Sequence, residues 1–332
     1  MTLAEQQQND NVIVDVRDLV IDFALDQALF NRQFMRAVNQ VSFQLRAGEA
    51  LALVGESGSG KSTCARAISR LYEPSSGQIY LNGVDTQSPS YKASRKQHAR
   101  EVQMIFQDPF GSLNPVHTIY HHLARPLKIH QPQLQSTDIR PAVLKLLTKV
   151  GLTPEETTAE KYPHELSGGQ RQRVAIARAL AVGAKVILAD EPISMLDVSI
   201  RLGILNLMAD MKEKEDIGFL YITHDIATAR YFAERTAVMY VGHMVEWGNS
   251  DSVTQNPQHP YTQLLISAVP EAGVKRDRKE MAKKADVPLW KPESKGCPFA
   301  ERCLQATSEC QQSLPPAKQV GEDHFVRCHL FN

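Results

Sequence analysis

The sequence predicts an α/β protein with a mixed sheet core, an antiparallel β layer and a helical insertion, followed by a small cysteine-bearing extension. Three observations predict this fold. Residues 50–54 form an apolar run of strand length, directly followed by a glycine-rich loop and a helical pattern. Alternating apolar segments precede that run and are typical of an antiparallel layer. From Gln107 to Leu166 the apolar spacing changes to that of helices.

The glycine-rich loop reads GESGSGKST at 55–63 and is a complete phosphate-binding motif. Its glycines allow the backbone to curl so that successive N–H groups point at phosphates. Lys61 supplies a charge for the β- and γ-phosphates, Ser62 supplies a hydroxyl ligand for Mg²⁺, and the helix dipole favours the anion. The sequence therefore predicts that ATP or a similar nucleotide is bound with Mg²⁺ by Gly55, Ser57, Gly58, Gly60, Lys61, Ser62 and Thr63.

Composition limits the possible partners. The 332 residues contain 37 basic and 37 acidic side chains, so the net charge is zero and no basic excess attracts nucleic acid. The first residues, MTLAEQQQ, have neither a basic segment nor an apolar core, so we expect no secretory signal. No apolar run approaches the ~20 residues that a membrane-spanning helix needs.

The remaining elements follow from local patterns. One helix is predicted from Ala142 to Val150, ending at Gly151, and the charged stretch Lys275–Lys284 is interpreted as a solvated linker or helix face rather than a nucleic-acid patch. The predicted strands are Val12–Val16, Leu19–Phe23, Val41–Leu45, 102–106, 186–189, Phe219–Thr223 and Ala237–Val241.

Two adjacent carboxylates follow the apolar strand at 186–189. In this arrangement Asp190 would hold Mg²⁺ through its water shell, and Glu191 would polarise an attacking water. Two carboxylates at the end of a strand are also common as ordinary surface charge. The phosphate-binding loop upstream favours the catalytic interpretation.

The segment Leu166-Ser167-Gly168-Gly169-Gln170 precedes a strong helical pattern over 171–180. A serine and two glycines at a helix N-terminus form an anion site of backbone amides, and a simple helix cap is the structural alternative for Ser167. With this segment the chain resembles the ATP-binding cassette family, whose signature is Leu-Ser-Gly-Gly-Gln. The resemblance covers about residues 12–250 and implies ATP hydrolysis coupled to transport across a membrane.

The resemblance also implies roles for other residues. Ser167, Gly168, Gly169 and Gln170 would meet the γ-phosphate bound by an opposing subunit, so two nucleotide-binding chains would face each other head to tail. Gln107 would sense Mg²⁺ and the attacking water, and His224 would bind the γ-phosphate. Met195 stands where the family commonly has alanine. Phe23 is the predicted aromatic that stacks on adenine, with Phe30 and Phe34 as competitors.

A narrower resemblance covers the rest of the chain. The segments 256–262, 296–303 and 107–115 are similar to those of ATPase subunits of the oligopeptide/dipeptide importer group, which also includes nickel and oligosaccharide transporters. We therefore predict an ATPase domain at 12–250, with a helical subdomain at about 108–170, and an importer-type extension at 251–332. The resemblance does not identify the cargo.

Four of the five cysteines lie in this extension, at Cys297, Cys303, Cys310 and Cys328. Four thiolates suffice for a tetrahedral zinc ion or a [4Fe–4S] cluster, and the spacing does not decide between them. The resemblance favours [4Fe–4S] in a structural role, while reduced, unliganded cysteines are a further alternative.

The function implied by the resemblance is an energy-coupling ATPase peripheral to the cytoplasmic face of the inner membrane. Its implied partners are a second ATPase subunit, favoured as a different chain over a copy of this one, two integral membrane permease subunits and, indirectly, an extracytoplasmic binding protein. One alternative is a soluble cassette protein acting on ribosomes or nucleic acid, but the single set of motifs and the absence of heptads disfavour it. A catalytically silent cassette is disfavoured by the presence of Lys61, Glu191 and His224.

Overall fold

The structure is a computed structural model that describes residues 11–25, 33–92, 95–268 and 286–331. The strands are β1 Val12–Ala24, β2 Phe34–Arg46, β3 Ala50–Val54, β4 Ser76–Leu81, β5 Val84–Asp85, β6 Val102–Ile105, β7 Val186–Asp190, β8 Gly218–Thr223, β9 Arg235–Tyr240, β10 His243–Asn249, β11 Ala317–Gly321 and β12 His324–Arg327. The helices are α1 Lys61–Ile68, α2 Pro89–Lys92, α3 Arg95–Glu101, α4 Pro109–Ser112, α5 Ile119–His130, α6 Ile139–Lys149, α7 Glu155–Glu160, α8 Gly168–Val182, α9 Val198–Glu215, α10 Ile226–Phe232, α11 Ser250–Gln255, α12 Pro260–Ser267 and α13 Glu309–Gln312, with 3₁₀ turns at Pro163–Glu165 and His329–Phe331.

The chain divides into two compact units, described here separately. The first contains the described residues within 1–45, 50–87 and 221–332, and the second contains those within 46–49 and 88–220. Two features singled out from the sequence, Phe30 and the charged stretch Lys275–Lys284, lie outside the described residues.

The first unit contains the predicted antiparallel layer, a four-stranded sheet in the order β2-β1-β4-β5. The prediction of two separate strands before residue 24 is wrong, since they form the single strand β1. Asp18, which lies between the two predicted strands, has a positive φ of 46°, and the pairing of β1 with β4 shifts register between Arg17 and Val20. The polar residues therefore mark an irregularity inside one strand rather than a chain reversal.

The first unit also carries most of a mixed sheet, with strands in the order β11-β12-β10-β9-β3. Strand β3 is buried along its whole length and pairs in parallel with β9, where Leu53 lies opposite Ala237. The pairs β9–β10, β10–β12 and β11–β12 are antiparallel. The predicted fully apolar run is therefore a buried parallel strand, as its composition requires.

In the second unit β6 and β7 pair in parallel, with Ile105 opposite Ala189, and helices α4 to α9 form the helical part predicted between Gln107 and Leu166 and beyond. The amphipathic helix α6 begins at Ile139, three positions before the predicted start. Pro141 lies in its first turn, where the missing N–H of proline leaves no helical bond unmade.

The C-terminal part of the first unit shares a hydrophobic core with β9 and β10. Tyr240, Tyr261 and Phe299 belong to it and are almost fully buried. Strand β10 was not predicted, and neither were β11 and β12, because beyond Gly248 the apolar pattern weakens. Among the described residues no helix combines the length and apolar character needed to cross a membrane.

Candidate nucleotide-binding site

The phosphate-binding loop joins the buried strand β3 to helix α1, which is the connection the motif requires. Gly60 has a φ of 100°, and a Cβ there would collide with the carbonyl oxygen of Ala37. Gly55 approaches the carbonyl oxygen of Met239 equally closely. Both positions therefore require glycine, one for its backbone conformation and both for space.

Lys61 is 5% exposed and lies at the first position of α1. Its Nζ donates to the carbonyl oxygens of Gly55 and Glu56, each at 2.8 Å, and contacts Ser59 Oγ at 3.2 Å. The loop thus folds its own carbonyl groups around the ammonium group. Hydrogen bonds between an ammonium and a phosphate are stronger than those to a neutral carbonyl, so an incoming phosphate can exchange with these partners.

Two residues of the C-terminal region hold the same loop, and sequence reasoning missed both. The backbone N–H of Glu56 donates to the Tyr261 hydroxyl at 2.9 Å. The Glu56 carboxylate accepts two bonds from the Arg302 guanidinium, at 2.8 and 3.1 Å. This interaction with Glu56 raises the pKa of Arg302, so the guanidinium stays charged. The sequence shows an arginine beside Cys303 and a tyrosine in the segment 256–262. Neither was identified as a loop contact, because no motif assigns a role to either position.

The second unit carries the two predicted carboxylates. Asp190 ends β7 and is 5% exposed, and Glu191 follows with a φ of 46°. Gln107 Nε2 donates to Glu191 Oε2 at 3.1 Å, so the structure brings these two predicted site residues together although 84 positions separate them. Met195, in the loop that follows, is 56% exposed.

The second unit also carries the signature segment, in which Ser167 is the N-cap of α8. Ser167 Oγ accepts from the Gln170 N–H at 3.3 Å, and Gln170 Oε1 accepts from the Ser167 N–H at 3.0 Å. This reciprocal arrangement is a capping box and fixes the first turn of the helix. Ser167 and Gln170 are both exposed, so this face of the helix N-terminus is open to solvent.

His224 follows β8 in the first unit and is exposed. The next residue, Asp225, caps helix α10 by accepting from the N–H groups of Ala227 and Thr228 at 2.9 and 3.5 Å. The Asp225 N–H in turn donates to Thr223 Oγ1 at 3.0 Å. The backbone on the C-terminal side of the histidine is therefore fixed by capping.

The predicted adenine-stacking residue, Phe23, packs edge-on against Tyr72 with ring centroids 5.2 Å apart. The competing residue Phe34 begins β2 and is 39% exposed. The third competitor, Phe30, lies outside the described residues. The structure therefore offers two described aromatic side chains in the first unit, and Phe34 has the larger exposed face.

The four C-terminal cysteines line one cavity of about 10 Å³, together with His259 and Phe299 among others. All four are free thiols, as is the buried Cys64. Burial, together with the charges of the other three cysteines, raises the pKa of the Cys297 thiol to about 12. Among the described residues no group of three or more histidine, cysteine, aspartate or glutamate side chains is placed to hold a metal ion.

Two family models match this chain. Residues 38–194 match the family model described as ABC transporter, and residues 245–310 match the one described as oligopeptide/dipeptide transporter, C-terminal region. The chain is 42% identical over 330 residues to the oligopeptide transport ATP-binding protein AppF of Bacillus subtilis (strain 168), covering 98% of this chain and 99% of the relative.

A second relative is the oligopeptide transport ATP-binding protein OppF of Haemophilus influenzae, 41% identical over 326 residues, covering 96% of this chain and 97% of the relative. Among solved structures, the ATP-binding cassette MJ0796, a dimer in a post-hydrolysis state bound to ADP and Pi, has a TM-score of 0.63 at 29% identity and covers 72% of this chain and 99% of that one.

The fold and the motifs define an ATPase of the ATP-binding cassette class. The chain belongs to the family of ABC transporter ATP-binding proteins that carry the oligopeptide/dipeptide transporter C-terminal region. The predicted family, fold class and ATPase activity are confirmed, and the alternative of a soluble cassette acting on ribosomes or nucleic acid is not favoured.

Proposed function

We propose that this chain hydrolyses ATP to power the import of peptides through a membrane permease. The observation that carries the proposal is the 42% identity to an oligopeptide transport ATP-binding protein across 98% of the chain, which includes the C-terminal region as well as the ATPase domain. The phosphate-binding loop, with Lys61 already oriented by its own carbonyl groups, supports the ATPase part of the proposal.

The proposed roles follow the chemistry of each side chain. Lys61 neutralises charge on the β- and γ-phosphates, and Ser62 and Asp190 hold Mg²⁺ directly or through its water. Glu191 accepts a proton from the attacking water, since a partly buried carboxylate at a strand end can do so once substrate is placed beside it. Gln107 is hydrogen-bonded to Glu191 and would orient the same water.

The signature segment and His224 would act on the γ-phosphate. The N–H groups at the start of α8 form an anion-binding site, and the capping box keeps Ser167 oriented there. We propose that this site receives the nucleotide of a second ATPase subunit, and that Gly168, Gly169 and Gln170 take part. The partner is proposed to be a related chain rather than a copy of this one.

The proposed assembly contains two ATPase subunits and two permease subunits, with the ATPases on the cytoplasmic face of the membrane and a binding protein on the other side. The helical insertion, particularly residues 108–126, would contact the cytoplasmic helices of the permease and pass the motion to them. Val116 in this segment is 70% exposed, and apolar exposure of that kind suits a protein contact.

Uptake by the reconstituted complex tests the proposal. Proteoliposomes with ATP on the ATPase side should accumulate labelled peptides, and Lys61→Ala should abolish uptake. Accumulation of nickel or an oligosaccharide instead of peptides would contradict the cargo. A chain that hydrolyses ATP but never co-purifies with a permease would contradict the importer assembly.

We further propose that the four C-terminal cysteines bind a [4Fe–4S] cluster, with zinc as the alternative. Four thiols, from Cys297, Cys303, Cys310 and Cys328, line one cavity and match the number of ligands that a cluster needs, although among the described residues no such group is placed to hold a metal ion. The cavity is too small for a cluster, because a volume of about 10 Å³ accommodates about one water molecule. The turn at 297–303 would therefore have to open to admit a cluster. A cation would also favour the thiolate forms of Cys297 and Cys328, whose pKa values burial raises.

Metal analysis of anaerobically purified protein tests this proposal. We expect about four iron atoms and four sulfides per chain, as in a cubane cluster. Cys303→Ser should remove them, whereas Cys64→Ser, a buried cysteine outside the cavity, should not. Zinc alone would select the alternative, and metal-free protein with four titratable thiols would contradict both.

A further inference from the structure

The C-terminal region and the phosphate-binding loop are joined by a contact that no motif contains. Helix α12 and the turn at 297–303 belong to the same core as β9, formed around Tyr240, Tyr261 and Phe299. The ring centroids of these three residues lie 4.6 to 5.4 Å apart. Such a cluster of buried rings is rigid, because each ring fixes the rotamer of its neighbours.

Two polar groups project from this cluster to a single loop residue. The Tyr261 hydroxyl accepts the Glu56 N–H, and the Arg302 guanidinium binds both oxygens of the Glu56 carboxylate. The Arg302 and Glu56 side chains are 15% and 35% exposed, so the pair is partly shielded from water. Arg302 also donates to the Tyr240 hydroxyl at 3.3 Å and lies over the Phe299 ring at 5.7 Å, which holds the guanidinium in place.

Glu56 is well placed to affect nucleotide binding. Its carbonyl oxygen is one of the groups that orient the Lys61 ammonium. Its N–H donates to the hydroxyl of Tyr261, a residue outside the loop. A residue held at its backbone N–H and at its carboxylate cannot rotate freely. The peptide groups beside it, including the carbonyl of Gly55 that also binds Lys61, are fixed with it.

We propose that Arg302 and Tyr261 are positioning residues that hold the phosphate-binding loop in its nucleotide-accepting conformation through Glu56, so that the C-terminal region sets the affinity of the chain for ATP. This rests on the proposed role of the loop as the ATP site. Preorganisation lowers the cost of ordering the loop when phosphate binds. Losing it should weaken binding without altering the chemical step.

Nucleotide titration of the purified full-length chain tests the proposal. Arg302→Ala and Tyr261→Phe should each weaken MgATP binding about three- to tenfold, in the range of the couplings measured between contacting residues. Arg302→Lys keeps the positive charge but cannot form the two parallel hydrogen bonds of the guanidinium group. Its MgATP affinity should therefore lie between those of Arg302→Ala and the wild type. The matched control is Arg17→Ala, because Arg17 also pairs with a carboxylate, Asp15, and lies over a tyrosine ring, but contacts no loop residue in the structure.

A double-mutant cycle separates positioning from general support of the fold. If Arg302 acts through Glu56, the variant Glu56→Gln/Arg302→Ala should bind MgATP no more weakly than Arg302→Ala alone. In the assembled transporter, Arg302→Ala should raise the KM for ATP and leave kcat unchanged, as expected for loss of uniform binding. A purely structural role would instead lower the temperature of unfolding and leave nucleotide affinity and KM unchanged.

Two results would overturn the proposal: wild-type affinity in both Arg302→Lys and Tyr261→Phe, or additive losses in the cycle. These variants keep the inference testable if Arg302→Ala fails to fold. Failure of the proposed function has a different signature, since Lys61→Ala would then bind MgATP as the wild type does.

Discussion

The phosphate-binding loop and the signature segment are both predicted to bind phosphate. They differ in which contacts fix their conformations. The loop is fixed by residues distant in sequence. Tyr261 and Arg302 bind Glu56, and the carbonyl oxygen of Ala37 lies so close to Gly60 that a Cβ there would collide with it. Ser167, by contrast, is exposed and is fixed by Gln170, three residues away. The first region is prepared by the fold of its own unit, whereas the second presents a capped helix end to the exterior. The conformation of the first region therefore depends on residues far away in the sequence, whereas that of the second depends on its own helix cap.

The largest expected effect in this comparison comes from Glu191→Gln. Turnover should fall by about 10²- to 10⁴-fold, the usual contribution of a general base, while ATP affinity is retained. Glutamine can still accept the bond from Gln107, so the loss would reflect chemistry rather than a broken contact. Steady-state ATPase assays beside the exposed control Glu213→Gln measure it, and undiminished turnover would remove Glu191 from this role.

Lys61→Ala should reduce MgATP affinity by roughly 10- to 100-fold, because a hydrogen bond to a charged group contributes about 1.5–3 kcal/mol. Calorimetric titration measures the change, and Lys214→Ala, which removes an exposed lysine paired with Asp210, is the control. Equal affinities of the two variants would count against the loop as the binding site.

A third prediction concerns stability in the signature region. Ser167→Ala removes the N-cap of α8 and should lower the free energy of unfolding by about 1 kcal/mol. Since this cap is local, nucleotide affinity of the purified chain should not change. Denaturant unfolding together with titration checks both statements, and a loss of affinity would show that the two regions are not independent in binding.

A smaller effect is expected from His243, a buried residue of the first unit. Its Nδ1–H donates to the Val241 carbonyl, and its Nε2 accepts from Asn39, so the ring is neutral. Burial lowers the pKa of His243 to about 4 from the ordinary value of 6.5. Because the depressed pKa belongs to the folded state, the stabilisation is complete above pH 6.5 and is lost as the pH falls toward 4.

Asn39→Asp provides the matched test for His243. A carboxylate beside Nε2 favours the imidazolium, so the pKa of His243 should rise and the loss of stability below pH 6.5 should shrink. NMR titration of the ring and unfolding measured between pH 7 and 4 give both quantities. An unchanged pKa would contradict the assigned contact.

Sequence reasoning recovered the parts of this molecule whose patterns are local. The strand before the loop, the loop itself and the cap at Ser167 depend on residues within a few positions of each other, and they occur as predicted. The end of β7 was also predicted, because an apolar strand followed by two carboxylates is a compact signal. The hydrogen bond that Gln107 donates to Glu191, the residue after this strand, was not predicted, because 84 positions separate the two residues.

Features that depend on distant contacts were missed. Two strands, Val12–Val16 and Leu19–Phe23, are predicted where the structure has one, since a polar residue with positive φ inside a strand, here Asp18, has the same local signature as a chain reversal. Arg302 and Tyr261 could not be predicted as supports of the loop because about 200 positions or more separate each from Glu56. The roles of the signature segment, His224 and the cysteines remain predictions.

The most direct test of the account compares Ser167→Arg with Lys61→Ala in two measurements, MgATP affinity of the purified chain and ATP turnover of the assembled transporter. The account predicts that Ser167→Arg binds MgATP like the wild type yet abolishes turnover, whereas Lys61→Ala loses binding already in the isolated chain. Equal loss of affinity in both isolated variants, or normal turnover with Ser167→Arg, would contradict it.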